Sequence, residues 1–344
     1  VYKYPHIKLV YWAGGNPFHH HQDLSRLVRA WQKPDTIISH EWCWNALAKR
    51  SDIVLPCTTP LERTDITLTP RDPYVILMSK LRDPFGESMD DYEIFSRIAR
   101  VMGIEKDFTQ GLSAEEWQRW IYLETEKTAR QTNIEFPDYE TFAEKGWFKL
   151  KQPDTPTIML SDFRANPEKY PLKTPSGKIE IFSKIVDSFS YVDCPGHPVW
   201  LEPYEWLGLK NKEYPLHLIS NQPKTKLHSQ LDHGQHSKSF KVADREPAHI
   251  SPEDAQARGI GNGDVVRLFN GRGSCLAGAV IDENLRVGVV QISTGAWYDP
   301  WDPSAKIGFC KHGNPNVLTR DKGTSRLGQG PTAQSCLIQV EKYE

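Results

Sequence analysis

The first 56 residues alternate between strand-like and helix-like hydrophobic patterns, and this alternation constrains the fold more than any other feature. Short apolar runs are separated by stretches with helical spacing, as at Leu24, Leu27, Val28 and Trp31. Strands that alternate with helices pair in parallel, because each crossover returns the chain to the same end of the sheet. We therefore predict an α/β doubly wound, Rossmann-like domain. Its predicted elements are strands at 7–12, 36–39 and 52–55 and helices at 24–31 and 45–50.

Two further helices are predicted downstream. Residues 91–103 place apolar side chains on one helical face and end at Gly103, a residue that favours the left-handed conformation of a helix C-terminus. The helix at 113–131 begins with Ser113, followed three residues later by Glu116, which is the pattern of a capping box. The side chains predicted to face a core are Ile94, Phe95, Ile98, Val101, Trp117 and Trp120.

Short strands and tight turns dominate the last third of the chain and predict a β-barrel. The clearest signal is a hairpin turn at Asn270-Gly271, because this pair favours the turn that matches strand twist. A short helix is predicted after Ser251, which caps it, with Pro252 in its first turn and Gly259 at its end. The predicted strands are 216–220, 265–269, 276–281 and 287–293.

These patterns divide the chain into three parts. We expect central α/β domains at 1–131, an irregular connecting segment at 132–214 and a barrel domain at 215–344. The connecting segment is rich in Pro, Lys and aromatic residues and has weak periodicity. The chain begins at Val1 and enters a predicted strand a few residues later, so we expect further sequence upstream.

Composition argues against several functions. The formal net charge is −2, which gives no electrostatic reason to expect nucleic acid or an anionic membrane as a partner. No apolar run has the length needed to span a bilayer. The six cysteines form no C-x-x-C pair, which argues against a zinc knuckle or an iron–sulfur cluster within the chain. We expect Cys57 and Cys275 to be buried free thiols.

Polar segments follow the three predicted strands of the α/β part, where open parallel sheets bind their ligands. After a glycine pair, Asn16 and His20 can hydrogen-bond a sugar or a phosphate. Glu41, preceded by His40, can accept from hydroxyls or a base edge, and Arg63 can form a bidentate pair with a phosphate. Together these groups suit a nucleotide. The segment is not G-x-G-x-x-G, which disfavours ordinary NAD binding.

Each of these features also has a plainer interpretation. Three consecutive side chains cannot readily converge on one ion, so a metal site at the histidine run 19–21 is disfavoured. Arg63 alone can be a surface ion-pair residue, and Glu41 alone carries no specific signal.

Loops of the predicted barrel carry amide, hydroxyl and imidazole groups beside tight turns. Such groups can bind the hydrogen-bonding edges of a pterin or a guanine without adding charge. They are equally compatible with turns that bind nothing. The loops lie at 220–230, 312–319, 323–325 and 329–330.

Seven segments together resemble the dimethyl sulfoxide reductase family of molybdenum enzymes, and within it the biotin sulfoxide, trimethylamine N-oxide and dimethyl sulfoxide reductases. They occur in the order found in the family, and the resemblance covers the whole chain. The segments are 15–23, 52–56, 61–63, 174–180, 227–231, 295–300 and 313–319.

The resemblance implies a bound bis(molybdopterin guanine dinucleotide) molybdenum cofactor, Mo-bis-MGD. It implies contacts from the α/β part to one dinucleotide and from the barrel to the pterins and the other dinucleotide. Gln222 departs from the histidine of some relatives, and Asp90 is the alternative to Asp91. The implied residues are Asn16, His20, His40, Glu41, Arg63 and Asp91 in the α/β part and Ser220, Asn221, Gln222, Lys226, His228, Ser229, Asn316 and Gln329 in the barrel.

The resemblance also implies reduction of an S-oxide or N-oxide substrate, such as biotin sulfoxide, dimethyl sulfoxide or trimethylamine N-oxide, by oxygen-atom transfer. It implies a double-psi β-barrel as the C-terminal domain. In this branch the molybdenum ligand is a serine in the N-terminal region. We therefore expect that part of the same polypeptide as a partner, and no molybdenum ligand in this chain. Any export signal would lie there too, so cytoplasm and periplasm are both compatible.

Two other functions are compatible with the same residues. One is a formate dehydrogenase or nitrate reductase of the wider family, and the other is a non-catalytic cofactor-binding protein. The sequence upstream of Val1 would distinguish them. Trp297 and Tyr298 can line the substrate approach or pack in the core.

Overall fold

The computed structural model describes residues 4–152, 154–156 and 158–344. The strands form a parallel sheet, an antiparallel sheet and a barrel. The strands are β1 (Leu9–Ala13), β2 (Thr36–Glu41), β3 (Ile53–Pro56), β4 (Asp65–Leu68), β5 (Tyr74–Met78), β6 (Trp147–Lys149), β7 (Leu216–Ile219), β8 (Pro247–Ile250), β9 (Val265–Asn270), β10 (Gly273–Ile281), β11 (Val289–Ile292), β12 (Gly308–Cys310) and β13 (Leu337–Lys342). The α-helices are α1 (Pro17–His20), α2 (Leu24–Trp31), α3 (Asp91–Val101), α4 (Glu105–Thr109), α5 (Ala114–Gln131), α6 (Tyr139–Lys145), α7 (Ser161–Ala165), α8 (Lys184–Asp187), α9 (Gln235–Lys238) and α10 (Pro252–Gln256).

The predicted parallel pairing of the first three strands is confirmed, in the order β1-β2-β3. Met89 extends this sheet beyond β3. It forms a parallel bridge with Cys57, and its N–H donates to the Pro56 carbonyl at 3.1 Å. Because the three strands run in the same direction, their carboxyl ends and the start of α3 lie along one edge of the sheet.

The predicted helix starts are also confirmed. The Asp90 side chain accepts the Glu93 N–H and thereby caps α3, which leaves Asp91 as the first helical residue. Ser113 and Glu116 form the expected capping box of α5, in which each side chain accepts the backbone N–H of the other residue.

An antiparallel sheet of β4, β5 and β6 was not predicted from the sequence. It packs against α5 and α6 through an aromatic cluster in which Tyr122 stacks on Phe142, with ring centroids 4.7 Å apart. The segment 132–214 is therefore not wholly irregular, because α6 and β6 form its first part. The reason is tertiary: β6 is three residues long and forms only by pairing with β5.

The last part of the chain is a six-stranded β-barrel. Its strands follow the order β10-β8-β11-β7-β13-β9, and the β9–β10 hairpin closes the ring. The predicted hairpin is confirmed, but its turn is shifted by one residue: Asn270 ends β9 and pairs with Gly273, so the turn residues are Gly271 and Arg272 and not Asn270 and Gly271. A further strand, β12, pairs with the first part of β10, while β8 pairs with its second part. Closure leaves no unpaired barrel edge between these strands.

The barrel and the parallel sheet share a hydrophobic core. Phe18, Leu24 and Leu47 of the α/β part are fully buried in the same cluster as the inward-facing barrel side chains. Polar contacts add to this packing, because the Ser25 hydroxyl donates to the Arg272 carbonyl at 2.9 Å and accepts the Gly308 N–H at 2.8 Å. The helices α1 and α2, which follow β1, are therefore held against the barrel.

Three expectations about side chains and helices are wrong. The helix predicted at 45–50 is only a 3-10 turn, Ala48–Arg50, and the Asn45 side chain accepts the Leu47 and Ala48 N–H groups at its start. Val101 is 90% exposed and Trp120 is 50% exposed, so neither belongs to a core. Among the described residues, no helix combines the length and apolarity needed to cross a bilayer.

Candidate functional site

His40 and Glu41 end β2 at the carboxyl edge of the parallel sheet, and both are buried. His40 lies between two partners, with Nε2 2.7 Å from the Tyr11 hydroxyl and Nδ1 2.6 Å from Asp91 Oδ1. All of these contacts are satisfied when Nδ1–H donates to the carboxylate and Nε2 accepts from the hydroxyl. This arrangement fixes the ring at the end of the strand. It also joins β1, β2 and α3.

Burial raises the pKa of Glu41 to about 7, although a hydrogen bond with the Asn45 side chain opposes this effect. Near neutral pH the carboxyl group is therefore present both as an acid, which can donate one hydrogen bond, and as a carboxylate, which only accepts. A group of this kind can bind either a donor or an acceptor edge of a ligand.

A cavity of about 610 Å³ opens beside the same edge, and Thr58, Arg63 and Asp91 line it. Arg63 is held in the loop after β3 by donating to the Thr58 carbonyl at 3.1 Å. Glu62 shapes this loop, since its carboxylate accepts the Thr59 N–H and the Phe85 N–H. The structure thus places Arg63 and Asp91, side chains of opposite charge, on the wall of one cavity.

The loop after β1 brings a second set of groups to this edge. Gly14 and Gly15 have φ of +87° and +76°, a left-handed conformation that a side chain rarely adopts, and they lead into Asn16. The Asn16 carbonyl oxygen Oδ1 accepts the Phe18 N–H at 3.1 Å and caps α1, while Nδ2 has no partner. Asn16 thus places an unused donor at the start of α1.

Two barrel residues from distant parts of the sequence meet α1. The Asn316 amide donates to the His19 carbonyl at 3.2 Å, and the His228 ring lies 5.5 Å from the His20 ring, edge to face. Burial, followed by the charges of His228 and His21, lowers the pKa of His20. His20, His228 and Asn316 are therefore brought together around one short helix.

The remaining predicted barrel residues divide into two groups. Ser229 is buried beside Trp297, and its carbonyl accepts the indole N–H at 2.8 Å. Lys226 is also buried, and its ammonium group pairs with Asp232 and Glu246 rather than facing solvent.

The second group lies in loops. The backbone of Ser220 pairs with the Gln334 side chain, and Asn221 contacts Gln291 and Ser293. Gln222 is exposed. Gln329 is exposed with φ of +53°, and it donates to the Arg326 carbonyl at 3.1 Å. Within the described parts of the chain, no hydrogen bond or ion pair joins these loop residues to His228 or Asn316.

Trp297 and Tyr298 both make packing contacts with α1. Tyr298 is buried against Phe18, with nearly parallel rings 6.4 Å apart, and lies under the Arg50 guanidinium. The Trp297 ring stacks on His19 at 5.5 Å.

His19 is the residue of this region that we did not single out from the sequence. Its ring is buried, its Nε2 atom has no partner, and burial lowers its pKa to about 3. The histidine run 19–21 contained it, but nothing in the run distinguished the buried histidine from the exposed ones. Across the residues that the structure describes, no three His, Cys, Asp or Glu side chains converge as metal ligands.

Comparison with known proteins finds a family match for the α/β part and another for the barrel. A model of the molybdopterin oxidoreductase family matches residues 2–101, and one of the molydopterin dinucleotide binding domain matches residues 216–337. The acetylene hydratase of Pelobacter acetylenicus is similar in fold, with a TM-score of 0.72 at 19% identity, over 98% of this chain and 44% of that one.

Among curated proteins, the trimethylamine-N-oxide reductase of Haemophilus influenzae is 44% identical over 99% of this chain. A dimethyl sulfoxide/trimethylamine N-oxide reductase and a biotin sulfoxide reductase of Cereibacter sphaeroides are each 43% identical over 99% of it. The chain spans only 42% to 45% of the length of these relatives. The cofactor that goes with the two matched domains is Mo-bis-MGD. The chain belongs to the molybdopterin oxidoreductases of the dimethyl sulfoxide reductase family.

Proposed function

We propose that this chain holds Mo-bis-MGD between the carboxyl edge of its parallel sheet and its barrel, as part of an enzyme that reduces S-oxides or N-oxides. The observation that carries the proposal is the meeting of the two parts at α1. There Asn16 and His20 come from the sheet side, and His228 and Asn316 come from the barrel side. The relatives, which include all three kinds of oxide reductase, support the substrate class.

The chemistry of the residues fits a dinucleotide. Arg63 offers a charged donor for a pyrophosphate, and Asn16 Nδ2 and Thr58 Oγ1 are buried groups without a protein partner. Asp91 and the dual character of Glu41 suit the donor edge of a guanine or the hydroxyls of a ribose. On this proposal, one dinucleotide contacts Asn16, His20, His40, Glu41, Arg63 and Asp91, and the barrel side is provided by Ser220, Asn221, Gln222, Lys226, His228, Ser229, Asn316 and Gln329.

When bound, the cofactor supplies two-electron redox chemistry that lets an oxygen atom be removed from the substrate. The residues of this chain bind and orient it. Arg63 neutralises phosphate charge, His228 and Asn316 hold polar edges from the barrel, and the aromatic packing of Trp297 excludes water next to α1. The finer topologies that accompany this proposal are a Rossmann-like domain within 1–131 and a double-psi barrel within 215–344.

The proposal includes a further stretch of polypeptide as a partner. The relatives are more than twice as long as the part that the chain matches. The segment 158–206 has many large apolar side chains exposed to water, and we propose that this further stretch of polypeptide covers them. The most exposed are Met159 at 83%, Ile181 at 79%, Val192 at 93% and Trp200 at 74%.

The test uses the full-length polypeptide that contains these residues, purified under reducing conditions. We expect molybdenum and guanine nucleotide in a ratio of about one to two. We also expect oxidation of a reduced viologen dye on addition of trimethylamine N-oxide, dimethyl sulfoxide or biotin sulfoxide. Nitrate with the reduced dye and formate with the oxidised dye serve as controls, because nitrate takes up two electrons whereas formate gives up two and needs an acceptor. Turnover with either of these, and none with the oxides, would overturn the substrate class but leave cofactor binding intact.

A further inference from the structure

Four charged side chains form a closed cluster beside the barrel, between the loop that follows β7 and the start of β8. Lys226 Nζ lies 3.1 Å from Asp232 Oδ1 and 2.5 Å from Glu246 Oε1. Lys241 Nζ lies 2.8 Å and 3.2 Å from the same two oxygens. The side chains are only 2% to 9% exposed. We call these four residues the buried charge cluster.

The buried charge cluster is balanced, with two cations and two anions, and every ion contacts both ions of opposite sign. Burial raises the pKa of Asp232, but the ammonium groups of Lys241 and Lys226 outweigh it and hold the pKa below its usual value. Burying ions costs hydration that pairing only partly returns, so such clusters add little stability compared with apolar packing. A geometric role explains their presence better, because a cluster of fixed ions holds the attached backbone in one arrangement.

The cluster is connected to Trp297 through Asp232. The Asp232 oxygen that does not contact the lysines, Oδ2, accepts the Trp297 backbone N–H at 3.1 Å. The same loop crosses the 226–232 segment closely at Gly295. A Cβ atom there would lie 2.0 Å from the His228 carbonyl oxygen, and φ is +99°. The loop that carries Trp297 can therefore take this path only with glycine at 295. The hydrogen bond from Trp297 to Asp232 holds the loop to the cluster there.

Trp297 then fixes α1. Its ring stacks on His19 with 13° between the planes, and its indole N–H donates to Ser229. The carbonyl of His19 accepts from Asn316 on the other side. His19 is thus held by the barrel at its ring and at its backbone, while Asn16 caps the same helix and His20 is its last residue.

We propose that the buried charge cluster is a positioning device that acts through Trp297 and His19 to hold α1 against the barrel. Asp232 is its central positioning residue. The consequence for function, that Asn16 and His20 face His228 and Ser229 at one ligand, rests on the proposed cofactor site. The mechanical part does not, because it concerns contacts within the protein.

Hydrogen–deuterium exchange of the cofactor-free, full-length polypeptide tests the mechanical part. Asp232→Asn should increase exchange of the amides at 14–23 about tenfold, while the hairpin at 265–281 keeps its protection. Arg258→Met is the matched control, because it also breaks a buried ion pair of the barrel, with Asp254, but has no contact with Trp297 or α1. This variant should leave exchange at 14–23 unchanged.

A charge-balanced variant covers the case in which Asp232→Asn fails to fold. Asp232→Asn combined with Lys241→Met removes one anion and one cation, and exchange at 14–23 should still rise while the barrel stays protected. Unchanged exchange at 14–23 would overturn the proposal. An equal rise at 14–23 and 265–281 would overturn it as well, since that pattern indicates general destabilisation.

A double-mutant cycle separates this device from the cofactor proposal. Asp232→Asn and His19→Ala should be non-additive in exchange at 14–23, because both act on the same stack. Additive effects would contradict the connection through Trp297. Neither outcome depends on whether a cofactor binds, and absence of molybdenum from the wild-type polypeptide would refute the cofactor site alone.

Discussion

Adjacent residues at the end of β2 have different environments although they share a strand end. His40 is held by Tyr11 and Asp91, which satisfy both of its nitrogens. Glu41 has only the Asn45 side chain as a compensating partner, so burial dominates and raises its pKa to about 7. The alternation of side chains along a strand explains the difference, because consecutive residues face opposite sides of the sheet.

The raised pKa of Glu41 predicts a specific pH dependence of stability. Between the unfolded pKa of about 4.3 and the folded value of about 7, the folded chain binds more protons than the unfolded chain, so its stability falls as pH rises. Glu41→Gln should therefore stabilise the cofactor-free protein at pH 8 by about 1–2 kcal/mol and have no effect near pH 4.5. Urea unfolding across this range measures the difference.

The control for this experiment is Glu283→Gln, at an exposed turn. The change that this variant makes in the free energy of unfolding should be the same at pH 4.5 and at pH 8. A stabilisation by Glu41→Gln that is equal at every pH would contradict the assignment, since it would come from packing and not from ionisation.

We expect Arg63 to contribute to cofactor binding and not to turnover. Arg63→Ala in the full-length polypeptide should lower molybdenum and guanine content, because a charge-assisted hydrogen bond to phosphate contributes roughly 1.5–3 kcal/mol. Turnover per bound molybdenum should stay near the wild-type value. Arg82→Ala, a nearby change at an arginine that faces Glu62 at 3.8 Å, is the control. Full occupancy with lost turnover would show that Arg63 takes part in the chemistry.

At the scale of elements, the short helix α1 matters because three parts of the chain meet there. The loop after β1 supplies it, and the barrel loops that carry His228 and Asn316 both contact it. α1 is only four residues long, so it has little intrinsic stability and depends on these contacts.

This dependence predicts coupling between two distant barrel residues. His228→Ala and Asn316→Ala should be non-additive in cofactor retention, with a coupling of roughly 0.5–3 kcal/mol, because each change loosens the helix that the other residue holds. A double-mutant cycle on molybdenum content measures it. The pair His228→Ala and Gln339→Ala should be additive, since Gln339 contacts Arg258 and not α1. Strict additivity of the first pair, with molybdenum content falling only as much as folded protein does, would mean that both residues affect folding alone.

At the scale of the whole molecule, the apolar segment 158–206 predicts how residues 1–344 behave when produced alone. They should bind an apolar dye and self-associate, because large side chains such as Ile181 and Val192 lie in water. Ile181→Lys with Val192→Glu should reduce both effects. The same double variant should prevent association with the rest of the full-length polypeptide supplied as a separate chain.

Val101→Glu is the control for this prediction, since Val101 is 90% exposed but lies on α3, outside the segment. It should leave association with the rest of the polypeptide unchanged. If the double variant associates as well as the wild type does, the segment is not the contact surface.

The sequence by itself determined the local elements and the family. The parallel strands β1 to β3, the amphipathic α2, the capping box of α5 and the hairpin at Asn270 each depend on residues close together in the chain. Their signals are periodicity, caps and turn chemistry, which act over a few residues. The family motifs were similarly contiguous, and the domain matches and relatives confirmed the family that they indicated.

Only the tertiary structure decided which groups face which. The β4–β6 sheet, the packing of Trp297 and Tyr298, and the ion partners of Lys226 all join residues far apart in sequence. The sequence pattern around a side chain at the end of a strand is the same whether that side chain contacts a ligand, an ion partner or an aromatic ring. Burial and long-range pairing distinguish these cases, because they set the local dielectric and the available partners, and both arise only when the chain has folded.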